Sequence, residues 1–269
     1  MSSPFTLTLT PDQRADFERD GVLVLPGYFP TADMNAMADA LWADLFRRFA
    51  IDRRRPETWT IERPGKFQPL IRAGAFRAFG SERLMAIGDA FLGAGRWQKP
   101  RWLGYPLVTF PTAQAWDVPH RLWHLDISAS LCLKRLPYIR VFTFLAASRP
   151  MGGGTPYVVG SHRLALSIAA RTPERHLHSR DIRLALAAEQ SWFAALFAAG
   201  GADREQRFMR DGAVIDGVAV AVREMLGEPG DAILMHPALL HGIAVNALRQ
   251  PRMMLMQFLG LEGPLPADG

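Results

Sequence analysis

Apolar residues recur at helical spacing in the first hundred positions and at alternating spacing beyond them. Met34, Met37, Leu41, Leu45 and Phe49 make one stripe behind Thr31 and predict a helix buried along that face. Ahead of it, Thr10-Pro11-Asp12-Gln13 reads as a helix start: Thr10 caps, Pro11 suits the first turn, and Gln13 reaches back to close a capping box. That helix should run to about Arg19 and stop at Gly21, with Val22 to Leu25 following as a buried strand. Arg53-Arg54-Arg55-Pro56 ends the second helix in a loop, residues 57–80 read as irregular, and Ser81 caps a helix through Leu92 that Gly93 stops.

From Tyr105 the pattern changes. Pro106 to Phe110, Trp123 to Ile127, Tyr138 to Leu145, Pro156 to Val159, Val218 to Met225, Asp231 to Met235 and Arg252 to Gly260 read as strands. Short strands divided by Gly and Pro turns predict a sandwich or barrel. Between Leu164 and Ala213 lies a mostly helical insertion, with Asp181 to Ala199 its clearest helix. No internal repeat is visible.

Composition narrows the class. At 269 residues, 49% of them hydrophobic, the chain suits one domain with a sizeable core. The most apolar stretch, Leu184 to Ala199, is interrupted by Glu189, Gln190 and Ser191 and is short for a bilayer span, so no membrane partner is expected. The start does not read as a secretory signal, and the lone Cys132 has no internal partner, which together suggest a cytoplasmic protein. Net charge is +5, carried mainly by arginines that are scattered except at Arg53-Arg54-Arg55. A nucleic-acid footprint concentrates charge on one face, so none is expected.

The chemistry gathers around Trp123-His124-Leu125-Asp126. In an extended strand alternate side chains share a face, so His124 and Asp126 can grip one ion while Leu125 points away. That is two-thirds of a facial triad, two His and one carboxylate on one side of Fe(II) with open positions opposite. The segment Gly230 to Gly242 offers two candidates for the third ligand, His236 and His241.

This segment resembles the distal-histidine strand of the phytanoyl-CoA dioxygenase family of Fe(II)- and 2-oxoglutarate-dependent oxygenases. In that pattern a small residue follows the ligand, an Asn comes next, and an Arg lies about eleven residues on; here these are Gly242, Asn246 and Arg252, counted from His241. The spacing fails from His236. Met151-Gly152-Gly153-Gly154-Thr155 through Gly160-Ser161-His162-Arg163 is similar to the family's glycine turn and the strand after it, and Phe17 to Pro26 resembles its opening helix and strand. Four ordered matches with a fixed His-to-Arg interval are specific, whereas a bare His-x-Asp is not. Two departures stand out: Phe142 occupies a position where some members carry Trp, and Gly153-Gly154-Thr155 replaces an Asn-Gly turn.

The resemblance implies a mainly β fold with flanking helices, built on a double-stranded β-helix, the cupin-like jelly roll. Residues 1–269 form a single domain, in which 1–100 give helical support, 101–163 and 214–262 form the core, and 164–213 form an insertion or lid. It implies Fe(II), 2-oxoglutarate and O2 as cofactor and cosubstrates, with His124, Asp126 and His241 on the metal. Arg252 would pair with the far carboxylate of 2-oxoglutarate, and Phe142 would neighbour it. The activity implied is hydroxylation of a small molecule, of an acidic or natural-product type, with release of succinate and CO2. An intact Asp126 argues against halogenation, since related halogenases replace that carboxylate. A metabolite-binding member without turnover and an oxygenase acting on a macromolecule are the alternatives.

Other residues are weighed beside these. Arg140, Phe142 and Phe144 alternate on one strand face, so an inward Phe142 brings Arg140 inward; burial then demands a carboxylate for it, from Asp or Glu or from a substrate acid. His120 and Arg121 precede the first ligand at the mouth as substrate contacts. His162 is assigned to a structural turn, His236 to the core or to support of the site, Asp231 to turn chemistry, and His176 and His178 to an exposed part of the insertion.

Overall fold

The computed structural model describes residues 5–173 and 175–261, a mixture of helices and antiparallel sheet. In chain order the elements are α1 (Pro11–Asp20), β1 (Val22–Leu25), α2 (Thr31–Phe49), α3 (Gln68–Arg72), α4 (Glu82–Leu92), β2 (Trp97–Gln98), β3 (Tyr105–Thr109), β4 (Tyr138–Phe144), β5 (Pro156–Val158) and α5 (Ser161–Ala170). They continue as α6 (Ser179–Glu189), α7 (Ser191–Phe197), β6 (Ala213–Ile215), β7 (Val218–Val220), β8 (Val222–Glu224), β9 (Ala232–Met235) and β10 (Arg252–Leu261). No helix among the described residues is long and apolar enough to cross a membrane.

The local signals at the N-terminus act as read. Thr10 Oγ1 accepts from Gln13 N–H at 3.1 Å while Gln13 Oε1 accepts from Thr10 N–H at 3.0 Å. Gly21 ends α1 at φ 77°, its N–H donating to the Phe17 carbonyl. Met34, Met37, Leu41 and Leu45 of α2 are buried, and Phe49 is half-buried.

The larger sheet runs β1-β9-β4-β10-β2, with β3 also on β10, and every pair is antiparallel. Strict alternation divides its residues between two cores. Ile139 and Val141 of β4 and Met253, Leu255 and Leu259 of β10 meet the N-terminal helices. Phe142, Phe144, Met254 and Met256 face the other way, onto Met225 and Tyr157 beside the small β5-β8 sheet. A third cluster joins Trp123, Leu125 and Ile127 to α5, α6 and α7.

Several expected boundaries move. Trp123 to Ile127 is not a strand; it contributes one antiparallel bridge, His124 to His241. The opposing chain turns at His236 to Leu239, and Pro237, whose carbonyl accepts from Asp126 N–H at 3.2 Å, has no N–H to return, so the ladder cannot extend. Val218 to Met225 splits at Ala221, β7 pairing with β6 and β8 with β5. The helix expected over Asp181 to Ala199 starts at Ser179 and breaks at Gln190, extended at φ −135° and ψ 113°, which lets adjacent Trp192 and Phe193 both be buried. Gly160-Ser161-His162-Arg163 opens α5 instead of closing a strand, and α3 lies within the stretch read as irregular.

Candidate metal centre

His124, Asp126 and His241 converge, with one potential ligand atom from each lying within 4.8 Å of the others. The His124–His241 bridge carries both reciprocal backbone bonds, 2.8 and 3.0 Å, so the two residues sit opposite each other and their ring centroids are 4.2 Å apart. Asp126 Oδ1 lies 3.4 Å from His241 Nε2 and 4.0 Å from His124 Nε2.

Two serines at helix starts brace these irregular segments. Ser179, first in α6, accepts the Leu125 N–H at 2.9 Å; Ser161, first in α5, accepts the Leu240 N–H at 2.9 Å and donates to the Val158 carbonyl. Each bond satisfies a backbone donor that a regular strand would have paired.

The tautomers are set from behind. His124 Nδ1 stands 2.9 Å from the Leu122 carbonyl and His241 Nδ1 3.0 Å from the Leu239 carbonyl, and only an N–H can make those bonds. In the neutral rings both Nε2 lone pairs therefore face the centre, the orientation metal ligation requires. Burial, and then the neighbouring His241, hold His124 below the usual imidazole pKa, favouring its neutral form. Burial opposes ionisation of Asp126, but His241, Arg140 and His124 outweigh it and keep the carboxyl below its ordinary value.

Arg140 is the partner that Asp126 keeps. Its Nε is 2.8 Å from Asp126 Oδ2, an ion pair whose N–H is not aligned as a hydrogen bond, and its Nη1 is 3.1 Å from His241 Nε2. The guanidinium also stacks on Phe258 at 4.6 Å and lies 5.9 Å from Phe142. Phe142 itself is buried between the sheets, opposite Met256 and Ile233.

Arg252 opens β10 and is buried without a carboxylate among the described residues. Nη2 donates to Thr109 Oγ1 at 2.7 Å, Nη1 reaches Met254 Sδ at 3.3 Å, and Nε has no acceptor. Burial, then Arg63, pulls its pKa down to about 10. Asn246 sets this position: its Nδ2 donates to the Thr109 and Gln250 carbonyls and its Oδ1 accepts from Leu248 N–H, locking the turn between His241 and β10. Thr109 went unmarked in the sequence, where nothing separates it from other strand threonines.

A cavity of about 800 Å³ opens over His124 and Asp126. Its wall includes Leu122, Leu131 and Ile243 together with His176, His178, Arg180 and Arg183, the last two from the first turns of α6. His176 and His178 are exposed. His120, half-buried, and Arg121, exposed, lead into the ligand segment and stand outside that wall. His236 is no part of the centre: it packs on His162 and Phe17 behind the sheet. Asp231 binds the Gly27 and Glu228 N–H groups at a turn.

Comparison with solved structures finds the same fold at low identity. AviO1 from Streptomyces viridochromogenes Tue57 matches at TM-score 0.55 and 19% identity, covering 97% of this chain and 100% of that one. HygX from Streptomyces hygroscopicus, solved with nickel and 2-oxoglutarate, matches at 0.54 and 18%, covering 95% and 88%. EctD from S. alaskensis, solved with 2-oxoglutarate and 5-hydroxyectoine, matches at 0.54 and 18%, covering 94% and 76%. Comparison with curated proteins returns no significant relative. The model of one family spans residues 17–254, taking in all three converging side chains and Arg252, and on that match the chain belongs to the phytanoyl-CoA dioxygenase (PhyH) family.

Proposed function

We propose that this protein is an Fe(II)- and 2-oxoglutarate-dependent oxygenase that hydroxylates a small molecule, built on a double-stranded β-helix. The observation that carries the reading is the convergence of two Nε2 lone pairs and one carboxylate on a common point beside a cavity. This donor set suits Fe(II), and three protein ligands leave positions for a bidentate 2-oxo acid and O2. The unpartnered Nε of buried Arg252 fits a bound carboxylate equally well.

When bound, the metal and cosubstrate supply O2 activation coupled to oxidative decarboxylation of 2-oxoglutarate to succinate and CO2. The chain's own contribution is positional. His124, Asp126 and His241 would hold the metal, Arg252 and Thr109 would orient the far carboxylate, and Phe142 would keep water from that side. Arg140 balances the Asp126 charge. Its contact with His241 Nε2 uses the lone pair a metal would need, so a bound metal would take the place of Nη1 there, and Nε could stay on Asp126. The cavity, about 800 Å³, has the size of small-molecule sites, which favours a small substrate over a macromolecule.

Succinate formed in step with 2-oxoglutarate loss, and abolished in His124→Ala and Asp126→Ala, is the expected result. Turnover surviving in both variants would overturn the reading, and metal binding without turnover would make the protein a metabolite binder.

A further inference from the structure

The cavity wall is chemically divided. Leu122, Leu131 and Ile243 offer apolar surface, whereas α6 presents Arg180 and Arg183 from one helical face, three residues apart. Among the described residues neither guanidinium has an ion-pair or hydrogen-bond partner, and Arg183 Nε is shut off from solvent with nothing to donate to. Two other arginines nearby are matched. Arg171 Nη2 reaches both oxygens of Glu189 at 2.7 Å, and Arg140 meets Asp126 at 2.8 Å. Among the described residues, Asp126 is engaged with Arg140 and the histidines, and Asp181 with the His178 N–H at 2.9 Å.

Arg180 is exposed and Arg183 half-buried; a guanidinium partly stripped of water, as that of Arg183 is, gains most from an acceptor with two oxygens in its own plane. We infer that the substrate of this site carries an anionic group, a carboxylate or a phosphate ester, held by Arg180 and Arg183 while its apolar portion lies along Leu122, Leu131 and Ile243. The identity of the bound molecule as substrate rests on the oxygenase reading above; the anion site rests on α6 alone.

The test uses protein loaded with Ni(II) and 2-oxoglutarate, so that Arg252 is already occupied, titrated calorimetrically with benzoate, phenyl phosphate and neutral benzamide. At least one anion should bind about tenfold more tightly than benzamide, the difference expected for one charge-assisted contact. Arg180→Gln/Arg183→Gln should erase that preference and leave benzamide binding and Ni(II) loading unchanged. The stronger of the two anions identifies carboxylate or phosphate. Benzamide matching both anions, no anion binding, or a preference that survives the double substitution would each overturn the inference. Failure to load Ni(II) and 2-oxoglutarate sinks the oxygenase reading instead, and the anion preference is then read in the metal-free protein.

Discussion

His124 and His241 lie 117 positions apart in the chain yet exchange both backbone hydrogen bonds, at 2.8 and 3.0 Å. One bridge thus fixes the relative height and facing of two imidazoles, and Asp126, two residues beyond His124, completes the set. The register of that bridge decides that His241, and not His236, joins His124 and Asp126.

Exchanging the two candidates tests this directly. His241→Ala should abolish metal-induced stabilisation in thermal melts, while His236→Ala should keep it and lose about 2 kcal/mol of folding stability through the ring's lost packing on Phe17 and His162. A His236→Ala protein that no longer responds to metal would contradict the assignment.

Arg252 and Thr109 should separate in magnitude. Arg252→Gln is expected to weaken 2-oxoglutarate binding about 100-fold, the loss typical of removing one member of a buried charged pair. Thr109→Val removes a single acceptor, the hydroxyl 2.7 Å from Nη2, and should weaken it only about fivefold. Calorimetry on the metal-loaded protein gives both values, and equal effects would refute the anchor role.

Gly21→Ala should destabilise the fold by about 3 kcal/mol in urea titrations, combining left-handed strain with overpacking. The backbone stands at φ 77°, and an added Cβ would come within 2.6 Å of His162 Nδ1 and 2.7 Å of Leu239 Cδ1. A change below 1 kcal/mol, read against the roughly 0.5 kcal/mol of an ordinary surface substitution, would show that the contact yields.

Acid should act through the stacked pair His162 and His236, whose pKa values burial lowers to about 4 and about 3. Above the unfolded value of 6.5 both rings are neutral in either state. Below it the unfolded chain binds protons that the folded one refuses, so stability is lost as pH falls from there toward about 4. The expected slope is about 1 kcal/mol per pH unit for each ring. His236→Phe should flatten it by roughly half, and an unchanged slope would mean other groups carry the acid response.

The sequence made α1 and α2 readable because their signals are local: a capping box, a left-handed glycine, an apolar stripe. The sheet strands were readable by alternation, with Phe142 and Met254 facing inward as their period demands. The convergence of His241 with His124 and Asp126 was readable only through spacing characteristic of a family, since residues alone left His236 and His241 equal. What escaped depends on contacts distant in sequence. Pro237 facing Asp126 stops a strand that Trp123 to Ile127 would otherwise form, and burial of both Trp192 and Phe193 breaks a helix whose apolar pattern looked continuous. Arg140 was undecidable for the same reason, because its partner sits on another segment.

The serine at the head of α6 holds the Leu125 amide from the same turn that sends Arg180 toward the cavity. Under the proposed function, selectivity and reactivity are hinged at one point. Chemistry could be kept while the guest is exchanged, by grafting another helix that begins with a hydroxyl at this place and differs only in what it shows to the interior.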